Sequence, residues 1–123
     1  MSHTIVHFEI PANDPEKLAS FYTQLFGWRI EKAPDPMEYW LINIVGEGEP
    51  GLNGGMMRRQ NPQQTPMNYV GVESVDEFSK KVQSLGGTVV VPKQPIPQVG
   101  YFAVCLDPEG NVFAVFEDDS QAS

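Results

Sequence analysis

The side chains best suited to chemistry lie near the start of the chain, where a histidine and a glutamate alternate with apolar residues. In the segment Val6-His7-Phe8-Glu9-Ile10 every second residue is apolar, which is the period of a β-strand with two different faces. His7 and Glu9 therefore share one face of the predicted strand. An imidazole titrates near neutral pH and a carboxylate can accept a proton, so the pair indicates acid–base chemistry if that face lines a cavity. The alternative is a structural histidine beside a solvated or ion-paired glutamate.

A helix is predicted directly after this strand. Asp14-Pro15-Glu16 supplies an N-cap acceptor, a proline at the first helical position and an acid in the first turn. Gly27 is suited to a left-handed C-terminal stop. The apolar residues at helical spacing between them are Leu18, Phe21, Tyr22 and Leu25. We expect this stripe to pack on the apolar face of the strand, so that His7 and Glu9 point away from the helix.

The same order of elements occurs twice, at an offset of 60 residues that matches Ile10 with Val70 and Gly27 with Gly87. Residues 1–59 are predicted to form a strand, a helix and three strands, and residues 67–119 repeat that order. The polar, proline-containing segment 60–66 connects them. The sequence therefore predicts one α+β domain built from two tandem βαβββ modules.

Two of the predicted strands contain breaker residues. The segment Leu52–Arg59 carries Gly54-Gly55 in its middle, which indicates a bulge or a close approach of another group to the backbone. The β-branched segment Thr88–Pro92 is followed by a proline-rich stretch, so we expect a loop over 93–99.

Composition bears on the class of partner and on location. Sixteen acidic and eight basic residues give a net charge of −8, which opposes binding to a phosphate backbone. No apolar run reaches the roughly 18 residues of a membrane span. The single cysteine, Cys105, and the lack of a secretory signal pattern predict a reducing, cytoplasmic setting. We expect no nucleic-acid or membrane partner, and the acidity serves either solubility or attraction of a cationic ligand.

The order and spacing of these motifs resemble the vicinal-oxygen-chelate superfamily, also called the glyoxalase, bleomycin-resistance and dioxygenase superfamily. The resemblance covers nearly the whole chain and is carried by His7, Asp14-Pro15, Phe21-Tyr22, Phe26-Gly27-Trp28, Gly86-Gly87 and Asp107-Pro108-Glu109-Gly110-Asn111. It implies a cupped mixed sheet with the helices outside, a site for a small molecule in the cup, and a homodimer.

Metal-dependent members of that superfamily hold a divalent ion with four ligands, one from the first and one from the last strand of each module. The matching positions in this chain are His7, Gly54, Met67 and Ala114. Glycine and alanine carry no donor, and a thioether suits Cu(I) rather than zinc or manganese. The resemblance therefore implies a degenerate metal site, and we expect no metal cofactor. The alternative keeps a divalent ion on a substitute set formed by His7, Glu9 and Asn43.

A set of residues is predicted to line the cup beside His7 and Glu9. Tyr69 is matched to Glu9 by the repeat, and Arg58 is a candidate partner for Glu9 or for an anionic group of a ligand. The complete predicted lining is Asn43, Met56, Arg58, Met67, Tyr69, Tyr101 and Phe116.

Three functional hypotheses follow. In the first, the protein is a glyoxalase- or lyase-like enzyme that acts on a small organic substrate through His7 and Glu9 without a metal. In the second, it binds a cationic drug or metabolite without catalysis, as the bleomycin-resistance members of the superfamily do. In the third, it is a metal enzyme with altered ligands.

Overall fold

The computed structural model describes residues 2–123, and its elements follow the predicted order of strand, helix and three strands, twice. They are β1 (Ile5–Ala12), α1 (Pro15–Phe26), β2 (Arg29–Lys32), β3 (Tyr39–Asn43), β4 (Gly54–Arg58), β5 (Met67–Gly71), α2 (Val75–Ser84), β6 (Thr88–Ile96), β7 (Gly100–Leu106) and β8 (Val112–Asp118). This order confirms the predicted α+β class with two βαβββ modules. Within residues 2–123 neither helix, of 12 and 10 residues, is long enough to cross a bilayer.

The chain forms two compact units, each of which contains four strands. The N-terminal unit comprises residues 7–66, and the C-terminal unit comprises residues 67–123 together with the stretch that ends at Val6. The strand order is β2-β3-β4-β1 in the N-terminal unit and β5-β8-β7-β6 in the C-terminal unit. In each unit the first and last strands are parallel and the other neighbours are antiparallel.

The core of the N-terminal unit lies between its sheet and α1. The helix begins where the sequence predicts, because the Asp14 carboxylate accepts the Lys17 backbone N–H at 3.2 Å. Gly27 ends the helix in a left-handed conformation, φ 77°, that costs a glycine little. The buried core residues are Ala12, Trp40, Ile42 and Met56, and Phe8, Ile10, Leu18, Tyr22 and Trp28 pack against them.

The predicted apolar stripe of α1 is only partly buried. Leu18 and Tyr22 contact the core, whereas Phe21 and Leu25 are 55% and 56% exposed, contrary to the prediction. The mean direction of residues 21 and 25 lies about 60° around the helix from that of Leu18 and Tyr22. The buried face of α1 is narrow because the Tyr22 ring stacks on Trp28, with ring centroids 5.2 Å apart, at the edge of the core. Phe21 and Leu25 lie outside that edge and form an exposed row.

The C-terminal unit repeats this arrangement around α2. Ser74 caps the helix, since its Oγ accepts the Glu77 N–H at 3.1 Å. A second acceptor comes from β8, where Glu117 Oε1 takes the Val75 N–H at 2.9 Å. The buried core residues are Val72, Val75, Ala103 and Val115, with Phe78, Tyr101 and Phe113 packed against them.

Strand β6 is longer than predicted. The expected loop over 93–99 is wrong for its first part, because β6 continues to Ile96 through Pro92 and Pro95. Prolines are tolerated there because β6 is the last strand of its unit and pairs with β7 alone. Two register shifts along the β6–β7 pair absorb the irregular backbone.

Truncation of a core side chain beneath α1 and truncation of a side chain in the exposed row of α1 should have different effects on stability. Ile42 is fully buried beneath the helix, so Ile42→Ala should lower the free energy of unfolding by about 2–5 kcal/mol. Leu25→Ala should change it by no more than about 0.5–1 kcal/mol, because that side chain already faces solvent. Urea unfolding of both variants checks this. A loss at Leu25 as large as that at Ile42 would place the exposed row in the core.

Candidate functional site

Three side chains of the N-terminal unit meet in one hydrogen-bonded chain. The Tyr39 hydroxyl donates to Glu9 Oε2 at 2.8 Å, and the hydroxyl oxygen of Tyr39 lies 2.8 Å from His7 Nε2. Because the phenol proton is given to the carboxylate, a neutral His7 must carry its proton on Nε2 and donate it to the phenol oxygen. The order of donation is His7, Tyr39, Glu9, and we call this arrangement the His7–Tyr39–Glu9 chain.

The strand pattern brings these residues together. The alternation of β1 places His7 and Glu9 on the face opposite α1, as predicted, because Phe8 and Ile10 pack in the core. Tyr39 lies on β3, which is separated from β1 by β4. The phenol therefore reaches across one whole strand to meet His7 and Glu9.

Gly55 makes that reach possible. This residue lies opposite Glu9 on β4, and a Cβ added to it would collide with the hydroxyl and ring of Tyr39. Its neighbour Gly54 faces the other side, where an added Cβ would lie 2.6 Å from the ring of Phe8. The glycine pair in the sequence thus marks two close approaches to β4, one on each face of the sheet.

Burial governs the electrostatics of the chain. Glu9 is 8% exposed, and a carboxylate at that depth is costly unless donors satisfy it. Tyr39 supplies such a donor. Burial also lowers the pKa of His7 below its ordinary value of 6.5, so its imidazole is neutral at pH 7. The site therefore holds a neutral imidazole, a phenol and a carboxyl group in hydrogen-bond contact.

The register of β4 corrects two predictions by one residue. Glu9 is matched to Tyr69 by the repeat of 60 residues, but Glu9 lies opposite Gly55 whereas Tyr69 lies opposite Ala114. The position equivalent to Ala114 is therefore Gly55, not Gly54. A shift of one residue moves every side chain of a strand to the other face.

Met56 is displaced from the predicted lining by the same shift. It is fully buried in the core on the α1 side. Met57, paired with Tyr39, takes its place on the site face.

Two polar residues predicted for the lining have other partners. Arg58 Nη2 forms an ion pair with Glu38 at 3.3 Å and is half exposed, so the structure does not place it as the partner of Glu9. Asn43 donates its amide to the Arg29 carbonyl at 3.2 Å, on the neighbouring strand β2. Tyr39 is the residue of β3 that forms hydrogen bonds with both His7 and Glu9.

In the C-terminal unit the predicted residues divide between the two faces of the sheet. Tyr69 is buried opposite Ala114. By strand alternation Met67 shares the face of Tyr69, and Phe116 shares the face of Ala114. The ring of Phe102 lies 6.3 Å from that of Tyr69. These residues form an aromatic face on the side of the sheet away from α2.

Tyr101 does not belong to this aromatic face. It packs in the α2 core, and Lys93 Nζ lies 4.4 Å from the centre of its ring. The prediction placed it one position off, because Phe102 is the residue of β7 that faces Tyr69. Sequence reasoning missed Tyr39, Met57 and Phe102. Only the parity of each strand, counted from a correct register, identifies them.

The residues at the four metal-ligand positions do not fit a divalent centre. His7 is a good donor, but the space beside Gly55 is filled by Tyr39. In the C-terminal unit the corresponding positions are Met67 and Ala114, a soft thioether and a methyl group. Within residues 2–123 no three His, Cys, Asp or Glu side chains are grouped to hold a metal ion.

Comparison with known proteins identifies the family. The model of the Glyoxalase/Bleomycin resistance protein/Dioxygenase superfamily matches residues 4–115. The chain belongs to this superfamily. This confirms the resemblance carried by His7, the helix start at Asp14 and the turn at Asp107.

The curated relatives that the chain matches are more than twice as long as the chain. The Putative glyoxylase CFP32 of Mycobacterium bovis is 38% identical over 119 residues, which cover 89% of this chain and 43% of the relative. The Anthracycline biosynthesis protein DnrV of Streptomyces peucetius is 27% identical over 125 residues, which cover 89% of this chain and 45% of the relative. The chain therefore spans less than half the length of either relative.

Solved structures share the fold of this chain. A hypothetical protein from Bacillus halodurans C-125 aligns with a TM-score of 0.70 over 100% of this chain and 99% of its own, at 13% sequence identity. Identity at that level supports the fold alone.

The partly buried His7 makes stability depend on pH in a defined direction. Because the pKa of His7 is lowered in the folded state, protonation favours the unfolded chain. The stabilisation is complete above the unfolded value of about 6.5 and is lost as the pH falls below it towards the folded value. His7→Gln should therefore lose less free energy of unfolding than the wild type between pH 7.5 and pH 5.

Urea unfolding at the two pH values measures this difference. The control is His3→Gln, at the other histidine, which is exposed. Its free energy of unfolding should fall between pH 7.5 and pH 5 by as much as that of the wild type. An identical pH dependence in the wild type and His7→Gln would contradict the assignment.

Proposed function

We propose that this superfamily member binds a small organic molecule beside the His7–Tyr39–Glu9 chain and moves a proton on it without a divalent metal. His7 and Glu9 form the acid–base pair. The observation that carries the proposal is the hydroxyl of Tyr39, which lies 2.8 Å from both His7 Nε2 and Glu9 Oε2.

The chemistry of the pair suits proton transfer near neutral pH. Glu9 is the base, because a carboxylate oxygen can accept a proton from a bound molecule. His7 is neutral at pH 7, since burial lowers its pKa, and a neutral imidazole can both donate and accept. Together the two groups can remove a proton from a bound molecule and return it.

The surroundings favour a ligand with an apolar part. Leu41 lies opposite Gly55 and Met57 lies opposite Tyr39 on the same side of the sheet. Leu41 is 43% exposed, so its side chain is open to contact. A small molecule with a polar reacting end and an apolar body matches this face.

The names of the relatives support small organic ligands. One is called a putative glyoxylase and another an anthracycline biosynthesis protein. We propose the class of ligand alone, because this chain spans less than half of each relative. A cytoplasmic setting and a homodimer belong to the same proposal, the first supported by the single buried thiol of Cys105.

A turnover assay with matched variants tests the proposed enzyme. The probe is the hemithioacetal of methylglyoxal and glutathione, with proton exchange into D2O followed by NMR. Glu9→Gln and His7→Gln should each lower the rate about 10²-fold or more, and EDTA should leave the wild-type rate unchanged. Arg58→Gln, at an exposed cation paired with Glu38, is the control and should keep the rate.

Three outcomes contradict the proposed enzyme. They are no exchange in the wild type, a full rate in the variant that carries both Glu9→Gln and His7→Gln, and a rate abolished by EDTA.

The net charge of −8 and the Tyr69–Phe102 ring pair favour a second candidate, the capture of a cationic molecule without turnover. Calorimetry with bleomycin tests it directly. Stoichiometric binding together with an absence of proton exchange would support capture over catalysis, and no heat of binding would remove it.

A further inference from the structure

Tyr39 lies on a different strand from His7 and Glu9. It starts β3 and pairs with Met57 of β4, while His7 and Glu9 lie on β1. Its ring is nearly parallel to the His7 imidazole, with an interplanar angle of 18° and centroids 6.4 Å apart. The phenol oxygen lies between the imidazole and the carboxylate, at hydrogen-bond distance from both.

We propose that Tyr39 relays a proton between Glu9 and His7, so that the two act as one acid–base unit, and that Gly55 is required to admit the phenol. The proposal rests on the proposed function, because it assigns a role within the same site. It adds a relay residue that the sequence pattern did not identify.

The relay passes one proton from the ligand to His7 by way of Glu9 and Tyr39. A proton taken from the ligand forms an O–H bond on Glu9, whose carboxylate becomes neutral. That proton then passes to the Tyr39 oxygen while the proton already on Tyr39 passes to His7 Nε2. One O–H bond breaks at each oxygen, one forms at the phenol, and one N–H bond forms at the imidazole. The final state is a carboxylate, a neutral phenol and an imidazolium, with no oxidant or further reactant.

The geometry supports each transfer. Both gaps are 2.8 Å, the normal length of a hydrogen bond that involves a hydroxyl. The transfer runs against the resting direction of donation, so it also needs the Tyr39 hydroxyl turned towards His7 and the His7 tautomer that carries its ring proton on Nδ1. Because burial disfavours the imidazolium, His7 gives the proton back readily, which a reversible acid–base unit requires.

The position of Gly55 explains why the phenol can serve here. A ligating side chain at this position and the Tyr39 hydroxyl would need the same space. The two arrangements exclude each other, so this chain holds a proton relay where a metal-dependent site would hold a donor.

A mutant cycle read by NMR tests the relay without any ligand. The His7 pKa is measured in the wild type, Tyr39→Phe, Glu9→Gln and the double variant. Glu9→Gln changes the His7 pKa by one amount in the protein with Tyr39 and by another amount in the Tyr39→Phe background if Tyr39 couples Glu9 to His7. The His7 Nε2–H should also exchange with solvent at least about tenfold faster in Tyr39→Phe, because its acceptor is gone. Equal pKa shifts in both backgrounds, with unchanged proton exchange, would overturn the relay.

The adjacent glycines supply a matched pair of variants. Gly55→Ala should displace the phenol and reproduce the fast Nε2–H exchange of Tyr39→Phe. Gly54→Ala forces a contact with Phe8 on the other face and should leave that exchange slow, even though it destabilises the fold. Slow exchange in a folded Gly55→Ala variant would contradict the requirement for glycine. If Gly55→Ala does not fold, the Tyr39→Phe cycle decides the relay alone.

This test and the turnover assay can fail separately. Loss of turnover in Glu9→Gln and His7→Gln together with equal pKa shifts would remove the relay and keep the enzyme. Coupled pKa shifts with no loss of turnover would remove the enzyme and keep the relay as a structural network.

Discussion

The structure of the N-terminal unit depends on how a buried carboxylate is satisfied. Glu9 lies almost fully out of solvent on the first strand, and a charge in that position destabilises a fold unless hydrogen-bond donors reach it. The phenol of Tyr39 reaches it from two strands away, which is possible because the intervening strand carries no side chain at residue 55. Burial of the Glu9 carboxylate therefore depends on the Tyr39 phenol, and the position of the phenol depends on the absence of a side chain at Gly55.

The two faces of the sheet in the N-terminal unit differ in the kind of contact that stabilises them. On the α1 side, Trp40, Ile42 and Met56 form a dry core whose contribution to stability is ordinary apolar burial. On the other side, polar groups are paired with one another at hydrogen-bond distance. The parallel pairing of β1 with β4 aligns Glu9 with Gly55, so the same register that closes the core also opens the space for the phenol.

Membership of the superfamily does not by itself determine the chemistry, because fold and site vary separately. In this chain the positions that would bind a divalent ion hold a histidine, a glycine covered by Tyr39, a methionine and an alanine. The groups that remain are suited to holding and moving protons. The aromatic face of the C-terminal unit, formed around Tyr69 and Phe102, is suited to contact with an organic molecule.

Much of the fold followed from local patterns in the chain. The alternation around His7, the cap at Asp14, the stop at Gly27 and the capping serine of α2 are determined by near neighbours, because strand period and helix capping act over a few residues. The same is true of the repeat, which predicted two βαβββ modules. These features were predictable because the physical causes lie within the segments that they shape.

Only the tertiary structure decided which residues meet. The register of β4, the burial of Met56, the outward position of Phe21 and the contact of Tyr39 with His7 and Glu9 depend on pairing between strands that are distant in the chain. A strand side chain changes face with a shift of one residue, and a count of offsets cannot detect a loop that differs by one. The sequence alone determined that His7 and Glu9 share a face, and the long-range pairing determined that a tyrosine joins them.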